Sequence, residues 1–159
     1  MKKIVFSLFF FVLFIFVFGC AREGYIVRME TNQARYGDLK QIESKLSDQG
    51  YKVQWEERPV ENYRYPGEVY TLLHKLLQDK PFYWVDIYLL YVKEEKTDLA
   101  LYPRIDIGNI YRGLIIPEVK IEIDRLGDSV YQDLSDKAGK QKVKMDRRAV
   151  VPPVFTGKY

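Results

Sequence analysis

The chain has 159 residues, with 25 basic and 22 acidic side chains, one histidine and one cysteine. A net charge of +3 leaves no electrostatic footprint for nucleic acid, and a lone cysteine makes no internal disulfide. One histidine and one cysteine also fall short of the usual zinc cage, so no metal and no cofactor are expected.

Met1-Lys2-Lys3 is followed by an apolar run from Ile4 to Phe18, broken only by Ser7, and the run ends Val17-Phe18-Gly19-Cys20. About fifteen residues are short of the roughly twenty that span a bilayer as a helix. A basic start and a short apolar stretch are instead the pattern of an export signal. Gly19 gives a peptidase room at the backbone, and Cys20 offers a thiol for acyl transfer. These residues resemble the lipobox of bacterial lipoproteins. Val17, Gly19 and Cys20 fit it, while Phe18 stands where the pattern has a small residue. The resemblance implies a signal peptide over 1–19, cleavage before Cys20 and a diacylglycerol on the Cys20 sulfur. It often implies an acylated amine as well, and two or three chains anchor stably where one is marginal. The expectation is an exported, membrane-anchored lipoprotein. Ala21 stands where an aspartate favours inner-membrane retention in enteric-type bacteria, which leans toward the periplasmic face of the outer membrane in a two-membrane host.

Removing residues 1–19 takes away Lys2 and Lys3 and leaves 140 residues with 23 basic and 22 acidic side chains. That is enough for one domain with its own core. The segment 20–24 reads as a short lipidated tether, 25–150 as a single domain and 151–159 as a proline-containing tail. Tyr25 to Thr31 alternates apolar and polar residues and predicts a strand. Tyr36, Leu39, Ile42 and Leu46 recur at helical spacing; Asp38 with Gln41 resembles a capping box, and Gly50 suits the position after the helix, over about 35–49. Tyr51 to Arg58 predicts a strand with Tyr51, Val53 and Trp55 on one side, and Pro59 to Gly67 a loop. Val69, Leu72, Leu73, Leu76 and Leu77 form a narrow stripe that reads as a second helix, closed by Pro81. Phe82 to Lys93 and Leu99 to Gly108 predict a hairpin turning at Glu94 to Asp98. Ile116, Val119, Ile123, Leu126, Val130 and Leu134 predict a long helix between Pro117 and Gly139, although Val119 to Ile123 also alternates as a strand would. Lys142 to Val150 predicts a last strand, ended by Pro152-Pro153.

The resulting β-α-β-α-β-β-α-β order predicts an α+β fold, a mixed sheet with helices on one face. A ferredoxin-like or related sandwich is the expected type. Alternation then points Val27, Met29, Val53, Trp55, Val85, Ile87, Leu89, Leu101, Ile105, Ile107, Val143 and Met145 toward the helices. The opposite face carries Trp84, Asp86 and Tyr88 across from Tyr102, Arg104 and Asp106. These six are the candidate ligand face: aromatic rings beside charged groups suit a glycan or a peptide. Read as plain structure, the same face is solvated and tied by cross-strand pairs such as Asp86 to Arg104. Lys137, Lys140, Lys142, Lys144, Arg147 and Arg148 cluster late in the chain, either toward anionic headgroups or along a guarded strand edge.

No Gly-x-Ser-x-Gly elbow and no phosphate-binding glycine loop occur, and no catalytic residue is expected. The carboxylates of Asp86 and Asp106 are the nearest approach to a hydrolytic pair. His74, beside the leucine stripe of the second helix, is expected to face solvent or the stripe's rim. The function expected is therefore non-enzymatic: a lipid-anchored cell-envelope protein that binds or braces a partner protein near the membrane. The alternative is a glycan- or peptidoglycan-binding module that uses Trp84, Tyr88 and Tyr102.

Overall fold

The computed structural model describes residues 22–61, 63–81, 83–112, 115–139 and 142–150. The signal segment 1–19, Cys20, Lys140 and the tail 151–159 lie outside them. Strand β1 (Arg22–Glu30) and the short β2 (Gln33–Arg35) lead into helix α1 (Tyr36–Asp48). Strands β3 (Lys52–Pro59), β4 (Glu68–Leu76), β5 (Trp84–Lys93) and β6 (Leu99–Arg112) follow as a meander. Helix α2 (Pro117–Ala138) then returns the chain to the sheet, where β7 (Lys144–Val150) completes it. The sheet order is β3-β4-β5-β6-β1-β7, with β2 also on β6, and every pairing is antiparallel.

The α+β class holds, but the sheet is not mixed. It is antiparallel at every pairing among the described residues, and its order does not confirm the ferredoxin-like one. The difference traces to the second predicted helix, because residues 68–76 form β4 instead. Leu73 and Thr71 are buried on the helix side, while Leu72 packs on the other face with Tyr88 and Leu90. A strand covered on both faces loses its alternation, and a short apolar run then reads equally well as a helix. β1 begins at Arg22, three residues before the predicted boundary, so only Cys20 and Ala21 lie between the predicted signal segment and β1 in the sequence.

Both helices cover one face. Leu39, Ile42 and Leu46 of α1 and Val119, Ile123, Leu126, Val130 and Leu134 of α2 bury against Val27, Met29, Leu73, Val85, Ile87, Leu89, Ile105 and Ile107. The helix ends obey their sequence signals. Pro117 occupies the first turn of α2, and Gly50 and Gly139 take φ of 89° and 91° beyond the helices. The expected side-chain cap at Asp38 is absent; Arg35 caps α1 without a side-chain hydrogen bond. The helices run antiparallel and are tied by Lys45 to Asp133 at 2.5 Å and Lys137 to Asp38 at 3.3 Å. Gly127 lets α2 sit close on β1, since a Cβ there would lie 2.7 Å from Val27 Cγ1.

β3 departs from its predicted facing. Its pairing with β4 slips between Val53 and Trp55 and again between Trp55 and Arg58, and Glu57 takes φ of 46°. Bulges of this kind turn a strand's side chains. Val53 is therefore exposed, and Trp55 joins Tyr70, Leu72, Tyr88 and Leu90 on the face away from the helices. Met145 packs on the helix-side core as expected, whereas Leu101, beside a further bulge, is only half-buried.

Antiparallel pairing puts Arg22, Arg112, Trp84 and Leu76 toward one end of the sheet, and Glu30, Lys144, Lys93 and Glu68 toward the other. The nine residues of β1 cover about 27 Å between these ends.

Candidate functional site

The open sheet face is shaped by a break shared between β6 and β1. Pro103 lies inside β6, and proline, which lacks an N–H, is tolerated within a sheet only at an edge or a bulge. The β5–β6 register accordingly slips there: Leu90 pairs with Arg104, but Val92 pairs with Leu101. Opposite the slip, the chain passes from β1 to β2 through Thr31 and Asn32. The Thr31 amide donates to the Pro103 carbonyl at 3.1 Å, and the Tyr102 amide donates to the Asn32 carbonyl at 2.8 Å. Tyr102 is held at φ of 51°, a conformation that costs an L-residue about 1 kcal/mol or more. Its ring is turned out of the sheet and remains 46% exposed.

The loop between β3 and β4 folds over this position. The Glu68 amide donates to the Tyr65 carbonyl at 3.1 Å, the Arg64 amide donates to Glu68 Oε2 at 3.0 Å, and Gly67 takes φ of 76°. Tyr65 thereby stacks on Tyr102, with centroids 4.2 Å apart and planes 15° from parallel. The Arg64 guanidinium lies over the Tyr65 ring at 5.3 Å and reaches Glu30 at 3.3 Å.

Together these parts enclose a groove of about 650 Å³. Its walls are Glu30 to Gln33, Arg64, Tyr65, Glu68, Tyr102, Arg104, Lys142 and Lys144. Four cations thus face two carboxylates. Glu30 is engaged by Arg64, and the buried Glu68 is bound to the Arg64 amide. Among the described residues, the ammonium groups of Lys142 and Lys144 have neither ion-pair nor hydrogen-bond partners. Arg104 Nε is buried without a hydrogen bond, although Asp106 Oδ2 lies 3.3 Å away. Asp106 itself is held from β1, where Arg28 Nε and Nη2 donate to its two oxygens at 2.7 and 2.9 Å. That bidentate contact raises the Arg28 pKa, against the opposing effect of burial.

The six predicted face residues do not act as one surface. Tyr102 and Arg104 line the groove, and Asp106 supports it from beneath. Tyr88 is opposite Asp106, and it is buried in the cluster with Leu72 and Leu90. Asp86 is opposite Gly108, too far along the strand for the expected pair with Arg104. It instead meets His74 Nδ1 at 2.7 Å and accepts from Trp84 Nε1 at 3.1 Å, because β4 places His74 directly across from it. His74 is thus a strand residue, not one on a helix rim. Burial raises the Asp86 pKa, and the hydrogen bonds from His74 and Trp84 only partly offset it. The late basic cluster also divides. Lys137 and Arg147 bind carboxylates of the helices, Arg148 pairs with Asp146, and Lys142 and Lys144 face the groove.

Sequence reasoning missed Arg64, Tyr65 and Glu68. The available signal was the predicted loop from Pro59 to Gly67, whose residues after Pro59 concentrate Tyr63, Arg64 and Tyr65 between β3 and β4. Long ordered loops of that composition commonly carry function. Among the described residues, no three histidine, cysteine, aspartate or glutamate side chains are grouped to hold a metal, and no helix is long and apolar enough to cross a membrane. Comparison with protein-family models, curated proteins and solved structures finds no match to this chain.

Proposed function

We propose that the chain is a non-enzymatic lipoprotein of the cell envelope that is anchored through Cys20 and presents the groove under Tyr65 and Tyr102 to another envelope component. The lipobox-like Val17-Phe18-Gly19-Cys20 supports the anchor and, with Ala21, the periplasmic face of the outer membrane in a two-membrane host. The groove's position carries the reading. It opens at the end of β1 remote from Cys20, about 27 Å along the strand, where a tethered domain meets what lies beyond the membrane surface.

Several features support binding rather than catalysis. Both oxygens of Asp106 are taken by arginines, and both oxygens of Asp86 are engaged by His74 and Trp84. Asp106 is thereby held as the charged partner of Arg28 and not poised to exchange a proton with a substrate.

The occupant that the shape favours is a glycan. A volume of about 650 Å³ is that of a small-ligand pocket. The walls combine ring faces with Asn, Gln, Thr, Arg and Lys, as saccharide hydroxyls and acidic groups require. The original trio Trp84, Tyr88 and Tyr102 contributes only Tyr102, and Tyr65 supplies the second ring. The test is co-sedimentation of the full lipidated chain, in non-ionic detergent, with purified cell wall. The protein is expected in the pellet, with binding weakened several-fold by Tyr65→Ala. A supernatant-only result would discard the glycan reading. If photo-cross-links from position 144 in living cells then gave one discrete protein adduct, bracing of a partner protein would replace it.

A further inference from the structure

We infer that the groove recognises a phosphate group, borne on a saccharide. This deepens the glycan reading above and rests on it. The inference comes from charge. Two groove cations, Arg64 and Arg104, already face carboxylates, whereas Lys142 and Lys144 have no partner among the described residues. Four cations against two carboxylates leave the groove lining with a net charge of +2, which matches a group carrying up to two negative charges. A single sugar carboxylate would leave one of these charges unmatched. Arg104 lines the same groove, with its guanidinium fixed from beneath by Asp106, 3.3 Å from Nε. Guanidinium and ammonium groups set around one pocket are the usual means of holding phosphate oxygens. The strained Tyr102 fixes the aromatic wall beside the cations, so a phosphate and its attached ring are engaged side by side.

The source of the phosphate follows from position. The headgroups of the membrane that holds Cys20 lie at the other end of β1, so the group recognised belongs to a carrier outside that bilayer.

The experiment titrates the full lipidated chain in non-ionic detergent with glucose 1-phosphate, inorganic phosphate and glucose, read by calorimetry. Saturable binding is expected for glucose 1-phosphate and weaker binding for inorganic phosphate; glucose should bind least. Lys142→Gln with Lys144→Gln is expected to weaken glucose 1-phosphate about tenfold or more, and added salt should weaken it further. Arg148→Gln and Lys120→Gln remove the same charge elsewhere and should leave binding unchanged. Circular dichroism establishes that the exposed-lysine variants are folded, and Arg104→Gln gives an independent loss. Equal binding of glucose and glucose 1-phosphate would overturn the phosphate assignment while leaving the glycan reading intact. An equal loss in the Arg148 and Lys120 variants would overturn it as unspecific electrostatics, and no binding of any phosphate would do the same. The titration is repeated in vesicles of phosphatidylcholine alone and with phosphatidylglycerol. Unchanged affinity is expected, and full inhibition by phosphatidylglycerol would assign the groove to headgroups instead.

Discussion

Asp86 shows how a single misread neighbour changes the chemistry of a side chain. With residues 68–76 taken as a helix, the face opposite Asp86 seemed to offer only Arg104. With β4 in place, His74 and Trp84 enclose the carboxylate, and burial raises its pKa from the ordinary value of 3.8. The sign of the linked stability follows. The folded protein holds the Asp86 proton more tightly than the unfolded chain does. The contribution is therefore complete below 3.8 and is lost as pH rises through the raised folded value. Asparagine has no such titration. The Asp86→Asn variant should gain on the parent chain as pH rises from 3 to 5, as read from urea midpoints at each pH. A constant difference between the two proteins across that range would show that burial of this carboxylate has no net effect.

Among the elements, the two flanking helices and the β5–β6 hairpin were legible and β4 was not. Helix α2 shows a clean three-four spacing bounded by Pro117 and Gly139, and it forms over Pro117–Ala138. The β5–β6 hairpin was equally readable, because aromatic and β-branched residues fill its arms and Glu94 to Asp98 interrupts them, even though β5 also packs Tyr88 and Leu90 into the smaller core. β4 packs Leu73 into the main core and Leu72 into the smaller one, which erases the alternation that marks a strand. The bulges in β3 and β6 depend on register, which a single strand's sequence does not specify; only Pro103 hinted at one of them. Half of the candidate site was accessible for the same reason. Tyr102 and Arg104 lie on a readable strand, whereas Tyr65 reaches them through a loop whose path is set by contacts distant in sequence. Helix α2 also carries a close contact that its pattern does not announce. At Gly127 an added Cβ meets Val27, a stiff β-branched side chain fully buried in β1. Gly127→Ala should therefore destabilise by about 1–3 kcal/mol despite alanine's better helix propensity, measured by urea unfolding. A stabilised variant would mean that α2 shifts freely on the sheet.

At the scale of the whole molecule, β1 joins the proposed anchor to the groove, and it does so from inside the sheet. It pairs with β6 from Arg22 to Glu30 and with β7 from Gly24 to Glu30. The order β6-β1-β7 therefore fastens it on both sides. A ligand seated near Lys144 and a lipid at Cys20 would draw on this strand from opposite ends. Tension between these points runs parallel to the strands and perpendicular to the hydrogen bonds, so the rungs are loaded in shear and must fail together. Pulling between Cys20 and Ala149 instead opens the β1–β7 ladder rung by rung, because both points lie toward the same end. Single-molecule force measurements should thus record a higher rupture force for the Cys20–Lys144 pair than for the Cys20–Ala149 pair. Equal forces would show that the ladder is not the mechanical element. A domain wired this way would carry a pull from a ligand in the groove to the proposed anchor without unravelling at its point of attachment.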